Sequence, residues 1–166
     1  MSLNLSHNSN LEVNLKYAVL VFVFVSLSFA EISSDTVAGY LDQIGEDLVY
    51  ERSGNEFVLL AESSDGSQIP YMYILVDSEM EGCLLVALTP GIVPESGPER
   101  TAGLETLSQL NWDNTWVKFT ADPETGEVSA MYTFSTENGM GFEAFSVMLN
   151  LLLGTVDENW ETLASI

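Results

Sequence analysis

Residues 104–134, LETLSQLNWDNTWVKFTADPETGEVSAMYTF, decide the fold. Leu104, Leu107, Leu110 and Asn111 fall on one side of a helix. Residues 111–114, NWDN, form a polar joint, because Asn and Asp side chains offer partners to backbone groups where a helix stops. Beyond Asn114 the period changes to two: Val117 and Phe119 point one way, Trp116 and Lys118 the other. Residues 122–127, DPETGE, predict a hairpin loop, with Pro123 fixing the first corner and Gly126 taking the left-handed position. Val128, Ala130, Tyr132 and Phe134 alternate on the return strand. The stretch is therefore a helix end, a joint, and a strand–turn–strand unit.

Downstream, Gly139 and Gly141 lead into a helix on which Phe142, Phe145, Met148, Leu149 and Leu152 share a broad apolar face. Gly154 is expected to end it. Thr155-Val156-Asp157-Glu158 has capping-box spacing and opens a last amphipathic turn through Val156, Trp160 and Leu163. Upstream, Pro98-Glu99 opens the helix that carries Leu104. Residues 89–98, TPGIVPESGP, hold three of the five prolines and predict a linker within the domain. Neither side of it carries enough core to fold alone.

The first half reads as a helix followed by a meander. Ser34 or Asp35 is the expected cap of a helix with Val37, Tyr40, Leu41 and Ile44 on one stripe and Gly45 as its stop. Strands follow at 48–51 and 57–62, around the turn Arg52-Ser53-Gly54-Asn55. After a turn at 64–67, residues 71–76 (YMYILV) and 83–88 (CLLVAL) are continuously apolar, as strands covered on both faces would be. The fold class is α+β, a single antiparallel sheet (meander plus C-terminal hairpin) packed against helices.

The 166 residues are 46% hydrophobic and carry 25 acidic against 4 basic side chains, a formal net charge of -21. Such a surface repels phosphate backbones and anionic headgroups, which argues against nucleic acid and against membrane contact beyond the N-terminal segment. It attracts basic proteins or cations, or serves as a solvated face suited to salt.

Residues 17–30, YAVLVFVFVSLSFA, follow Lys16 and end in Ser28-Phe29-Ala30, a triplet suited to cleavage after Ala30. The run is short for a spanning helix and suits the apolar part of a signal peptide. Residues 1–30 are accordingly read as an export signal or apolar segment, and 31–166 as the domain. An exported or periplasmic location follows, with an uncleaved anchor, or a buried segment of a cytoplasmic protein, as the alternatives.

Catalytic chemistry finds little to work with. The one cysteine, Cys83, lies in an apolar run and reads as a buried, inert thiol. The one histidine, His7, sits in a polar tail, so no Ser-His-Asp or Cys-His set is in view. Asp42 with Glu46, Glu79 with Glu81, and Asp122 with Glu124 and Glu127 are acid pairs beside turns and helix ends, where capping explains them. The 122–127 loop lacks the alternation of a calcium loop, and Gly139-Met140-Gly141 lacks the third glycine of a phosphate loop. No cofactor and no metal site is expected. Trp112 and Trp116 flank the joint; a place in the core is the commoner fate of such side chains, and an exposed one would anchor a partner.

A leucine-bearing helix running into Asn111-x-x-Asn114, then Val117-Lys118-Phe119, a hairpin and a Phe-rich helix resembles the YbjN-type proteins, over about residues 33–163. Those in turn resemble type III secretion chaperones in fold. The resemblance implies a curved antiparallel sheet, frequent homodimers, no known catalytic activity, and capture of a protein client. Asn111, Asn114 and Lys118 are its signature positions. The expected function is a non-enzymatic, acidic, protein-binding module, chaperone- or adaptor-like, with Leu104, Leu107, Trp112 and Trp116 as the partner-binding residues. An exported domain binding cations or a small solute is the alternative, and a carboxylate-dependent hydrolase the third reading.

Overall fold

Ser33 opens the first helix, α1 (Ser34–Ile44), by accepting the Thr36 N–H on its hydroxyl at 3.2 Å. The computed structural model describes residues 32–166 except 46, 47, 63, 64, 78, 80 and 138. His7, Lys16, Glu46 and the segment 17–30 lie outside the described residues. The cap is thus Ser33 and not Ser34 or Asp35. Both of those are drawn to Arg52 instead, whose guanidinium donates to the Ser34 hydroxyl and the Asp35 carboxylate at 2.7 Å each. Val37 and Leu41 turn the buried stripe of α1 inward.

Six strands form one sheet in the order β1-β2-β3-β4-β6-β5, every neighbouring pair antiparallel. The meander is β1 (Val49–Ser53), β2 (Glu56–Glu62), β3 (Gln68–Asp77) and β4 (Gly82–Ile92). The helix α2 (Pro98–Asp113) then carries the chain beyond the position of β6, so that β5 (Lys118–Ala121) becomes the edge and β6 (Glu127–Ser135) returns beside β4. Helix α3 (Phe142–Glu158) lies on β4 and β6 and touches α1, and the short α4 (Trp160–Leu163) packs on β4.

The register sorts the side chains into two faces. Phe57, Ile74, Leu85 and Tyr132 form one row across the sheet, and Leu59, Met72, Ala87, Ala130 and Phe119 the next. All are buried, under Leu41, Phe145, Leu149, Leu152 and Leu163 of the helices. The opposite face carries Val58, Tyr73, Val86 and Met131 in one row, with Leu75 and Leu84 beside it, and Tyr73 and Leu75 stay 39% and 38% exposed. The continuous apolar runs of β3 and β4 therefore mark central strands, but only one of their faces is covered by a described element. Apolar residues on both sides do not by themselves supply a second layer.

The ends of β4 and α3 also differ from expectation, and Thr155-Val156-Asp157-Glu158 lies inside α3 instead of opening the last turn. Residues 89–92 continue β4 instead of starting a linker. Pro90 falls past the last β3 pairing at Ala87, where the β4–β6 register shifts between Leu88 and Ile92, so its missing N–H sits in an irregular stretch. Gly154 does not end α3. Leu152, Thr155 and Val156 are buried on either side of it, and that packing outweighs a glycine cost of about 1 kcal/mol in a helix. The helix stops at Asn159, whose amide donates to Thr155 O at 2.8 Å.

Candidate partner-binding site

The joint between α2 and β5 is built by its three polar side chains. Asn111 donates its amide to Phe119 O at 2.9 Å and accepts the Phe119 N–H at 2.7 Å. Both outward backbone groups of an edge-strand residue are thereby satisfied, which closes that position to the addition of a foreign strand. The backbone and side-chain N–H groups of Asn114 reach Leu110 O at 3.0 and 2.9 Å. Lys118 donates to Asn111 O at 3.1 Å and Asn114 O at 2.7 Å, placing a cation at the negative end of α2. These are structural roles: the helix end is capped and the sheet edge is clamped to it.

Both tryptophans of the joint face outward, contrary to the expectation that core is the commoner place for them: Trp112 is 85% exposed and Trp116 65%. The joint turns away from the sheet before Lys118, and Val117, not Trp116, plugs the core. Trp116 stands over α3 and with Tyr132, Val147, Met148 and Leu151 lines a groove of about 330 Å³ whose rim holds Glu143. Val147 is 67% exposed there. Sequence reading missed Val147 and Leu151, although the apolar run of α3 is wider than one buried face needs, which was the available signal.

The expected helix face divides. Leu107 is buried in the core and Leu104 exposed; together with Arg100, Asn111, Thr120 and Asp122 they line a separate, more polar groove of about 440 Å³ between α2 and β5. Trp112 lines neither groove. Leu104 and Leu107 thus come together, Trp116 stands apart from them, and Leu107 serves as floor and core residue.

The titratable groups are set for structure. Asp122 accepts the Thr125 and Glu124 N–H groups at 2.8 Å each, and these bonds hold its carboxyl below the usual carboxylate range. It stays ionised as the brace of its hairpin, unlike an acid catalyst. Asp42 accepts the Tyr50 hydroxyl at 2.8 Å, a bond that raises the phenol's pKa. Burial pushes the Cys83 thiol up to about 12. Among the described residues no group of three or more His, Cys, Asp or Glu is placed to hold a metal ion. No described helix is long and apolar enough to cross a membrane.

A six-stranded antiparallel sheet with helices packed on one face defines an α+β fold, and comparisons with known proteins agree on that class. The family described as YbjN, "Putative bacterial sensory transduction regulator", matches residues 33–164, and the chain belongs to that family. Its fold is similar to the crystal structure of YbjN, a transcription regulator candidate from E. coli, at 18% identity over 79% of this chain and 90% of that one, with a TM-score of 0.56. It is also similar to a chain of the ExsC–ExsE complex, at 19% identity over 80% and 97%, with a TM-score of 0.54. A chain of the HopA1–SchA chaperone–effector complex matches at 13% identity over 77% and 89%, with a TM-score of 0.47. A search of curated proteins finds no match.

Proposed function

We propose that this chain is a non-enzymatic protein-binding module that takes an apolar side chain of its partner into the groove beneath Trp116. The observation that carries the reading is Trp116 itself, largely exposed over an apolar groove of α3 in a domain with a well-filled core elsewhere. An indole in that position supplies a large rigid contact at low entropic cost, which is why such residues dominate interface energetics. The fold is similar to that of a chain solved in the ExsC–ExsE complex, which supports a protein partner. The homodimer implied by the family resemblance belongs to the same proposal.

Export is part of it. Cleavage after Ala30 would leave one residue, Glu31, ahead of Ile32, which is buried in the core. That processing point lies just ahead of residue 33, where the family match begins.

The test is capture from native extract by the full chain and by Trp116→Ala, with identification by mass spectrometry. One dominant protein is expected on the wild-type chain, with recovery down by about tenfold or more on the variant, whose melting temperature stays unchanged. Equal recovery on both would refute the assignment.

A further inference from the structure

The sheet face opposite the helices is a second surface, independent of the Trp116 groove. One row crosses all six strands as Glu51, Val58, Tyr73, Val86, Met131 and Lys118, and Leu75 and Leu84 lie beside it in the next row. Tyr73, Leu75, Leu84 and Val86 line a depression of about 260 Å³ with Glu56 at its edge. At about 4.8 Å between strands, the three spacings from Val58 to Met131 make the apolar part about 14 Å wide. That is the length of roughly 10 residues of α-helix. Apolar sheet faces in two-layer folds are ordinarily covered by helices, and no described element covers this one.

Charge selects the occupant. Of the four basic side chains, Lys16 lies outside the described residues. The other three are used internally: Arg52 on Asp35 and Ser34, Arg100 on Pro94 O, and Lys118 on the end of α2. The face is bordered by Glu51 and Glu56, in a chain of net charge -21. A second copy would bring the same charge against it, whereas a cationic partner gains on approach. Strand addition does not serve at the β5 edge, where Asn111 holds Phe119.

We infer that this face docks an amphipathic, basic helix of a partner protein, its apolar stripe on Tyr73, Leu75, Val86 and Met131 and its Lys or Arg residues toward Glu51 and Glu56. The test uses the full chain and a fluorescein-labelled synthetic Leu/Lys amphipathic helix of about 18 residues, with a Leu/Glu peptide of the same pattern as its control. Anisotropy should show binding of the Leu/Lys peptide alone. Leu75→Ser with Val86→Thr, which leaves the charge unchanged, should weaken it by about tenfold or more, while Trp116→Ala leaves it unaltered. Should the double variant lose its circular dichroism, Tyr73→Ser alone carries the same comparison.

Binding that is indifferent to these apolar substitutions would overturn the proposal, because it would show attraction to charge alone. So would absence of binding, which would mean that the face is already occupied within the chain. A dimer, seen by sedimentation, that dissociates on the same substitutions would overturn it in favour of a second copy.

Discussion

Asn111 spends both ends of its amide on one residue of another element, and that makes it the side chain whose loss the joint can least absorb. In Asn111→Ala two part-buried hydrogen bonds to Phe119 disappear and the outward backbone groups of β5 are freed. At about 1 kcal/mol net per bond, the expected loss is about 2 kcal/mol, read from urea unfolding. A loss within error of zero would show that solvent replaces the side chain. Cys83 makes a second test at this scale. Its thiol is raised by burial from 9.0 to about 12. The neutral form is therefore favoured in the folded state, and the contribution to stability is full below the unfolded value and is lost as pH rises through the folded one. Native protein at pH about 8 should resist thiol reagents and react only on unfolding; rapid native labelling would contradict the burial. The sequence showed that Asn111 and Asn114 make a polar joint and that Cys83 is buried. It could not show which strand Asn111 clamps, because that depends on the crossover that brings β5 beside α2. Nor could the period-two pattern separate a tryptophan in the core from one standing over α3.

Elements were legible where periodicity and turn chemistry agreed, as in the β5–β6 hairpin, and illegible where packing overrode a local signal. The two glycines Gly126 and Gly154 make the contrast. In the sequence both look like stops or turns, yet only Gly126 has a backbone that demands glycine: its φ is +77°, and a Cβ there would lie 2.1 Å from Val93 O. The same residue accepts the Val93 N–H at 2.8 Å, tying the hairpin loop to the end of β4. Gly154 lies inside α3, where a Cβ would meet nothing within 4 Å. Gly126→Ala should therefore destabilise by about 2 kcal/mol or more through strain and loss of that tie. Gly154→Ala should stabilise by up to about 1 kcal/mol. Thermal unfolding of the two variants side by side checks the pair, and effects of the same sign would contradict this account of where the chain needs glycine. The β4 extension through Pro90 was hidden for a related reason: the bulge opposite β6 accepts a proline that a regular central strand would not.

At the scale of the whole molecule, acid charge and one-sided layering act together. The helices fill one face of the sheet and leave the other apolar, while the few described cations are spent on holding elements to one another. Composition revealed the charge, and the α+β class followed from element order. The open face escaped the reading because continuous apolar strands look the same whether one or two layers cover them. The groove of Trp116 escaped it because its walls, Tyr132 and α3, meet the joint only after folding. A protein partner seated in that groove would be captured by site-specific photo-crosslinking. A photoreactive phenylalanine analogue is placed at position 116 and, for comparison, at position 160, where the exposed Trp160 lies on α4. Irradiation of cells should give one dominant covalent adduct from position 116 and none of that mass from position 160. An absence of adduct at position 116, or the same adducts from both positions, would refute partner binding in the groove.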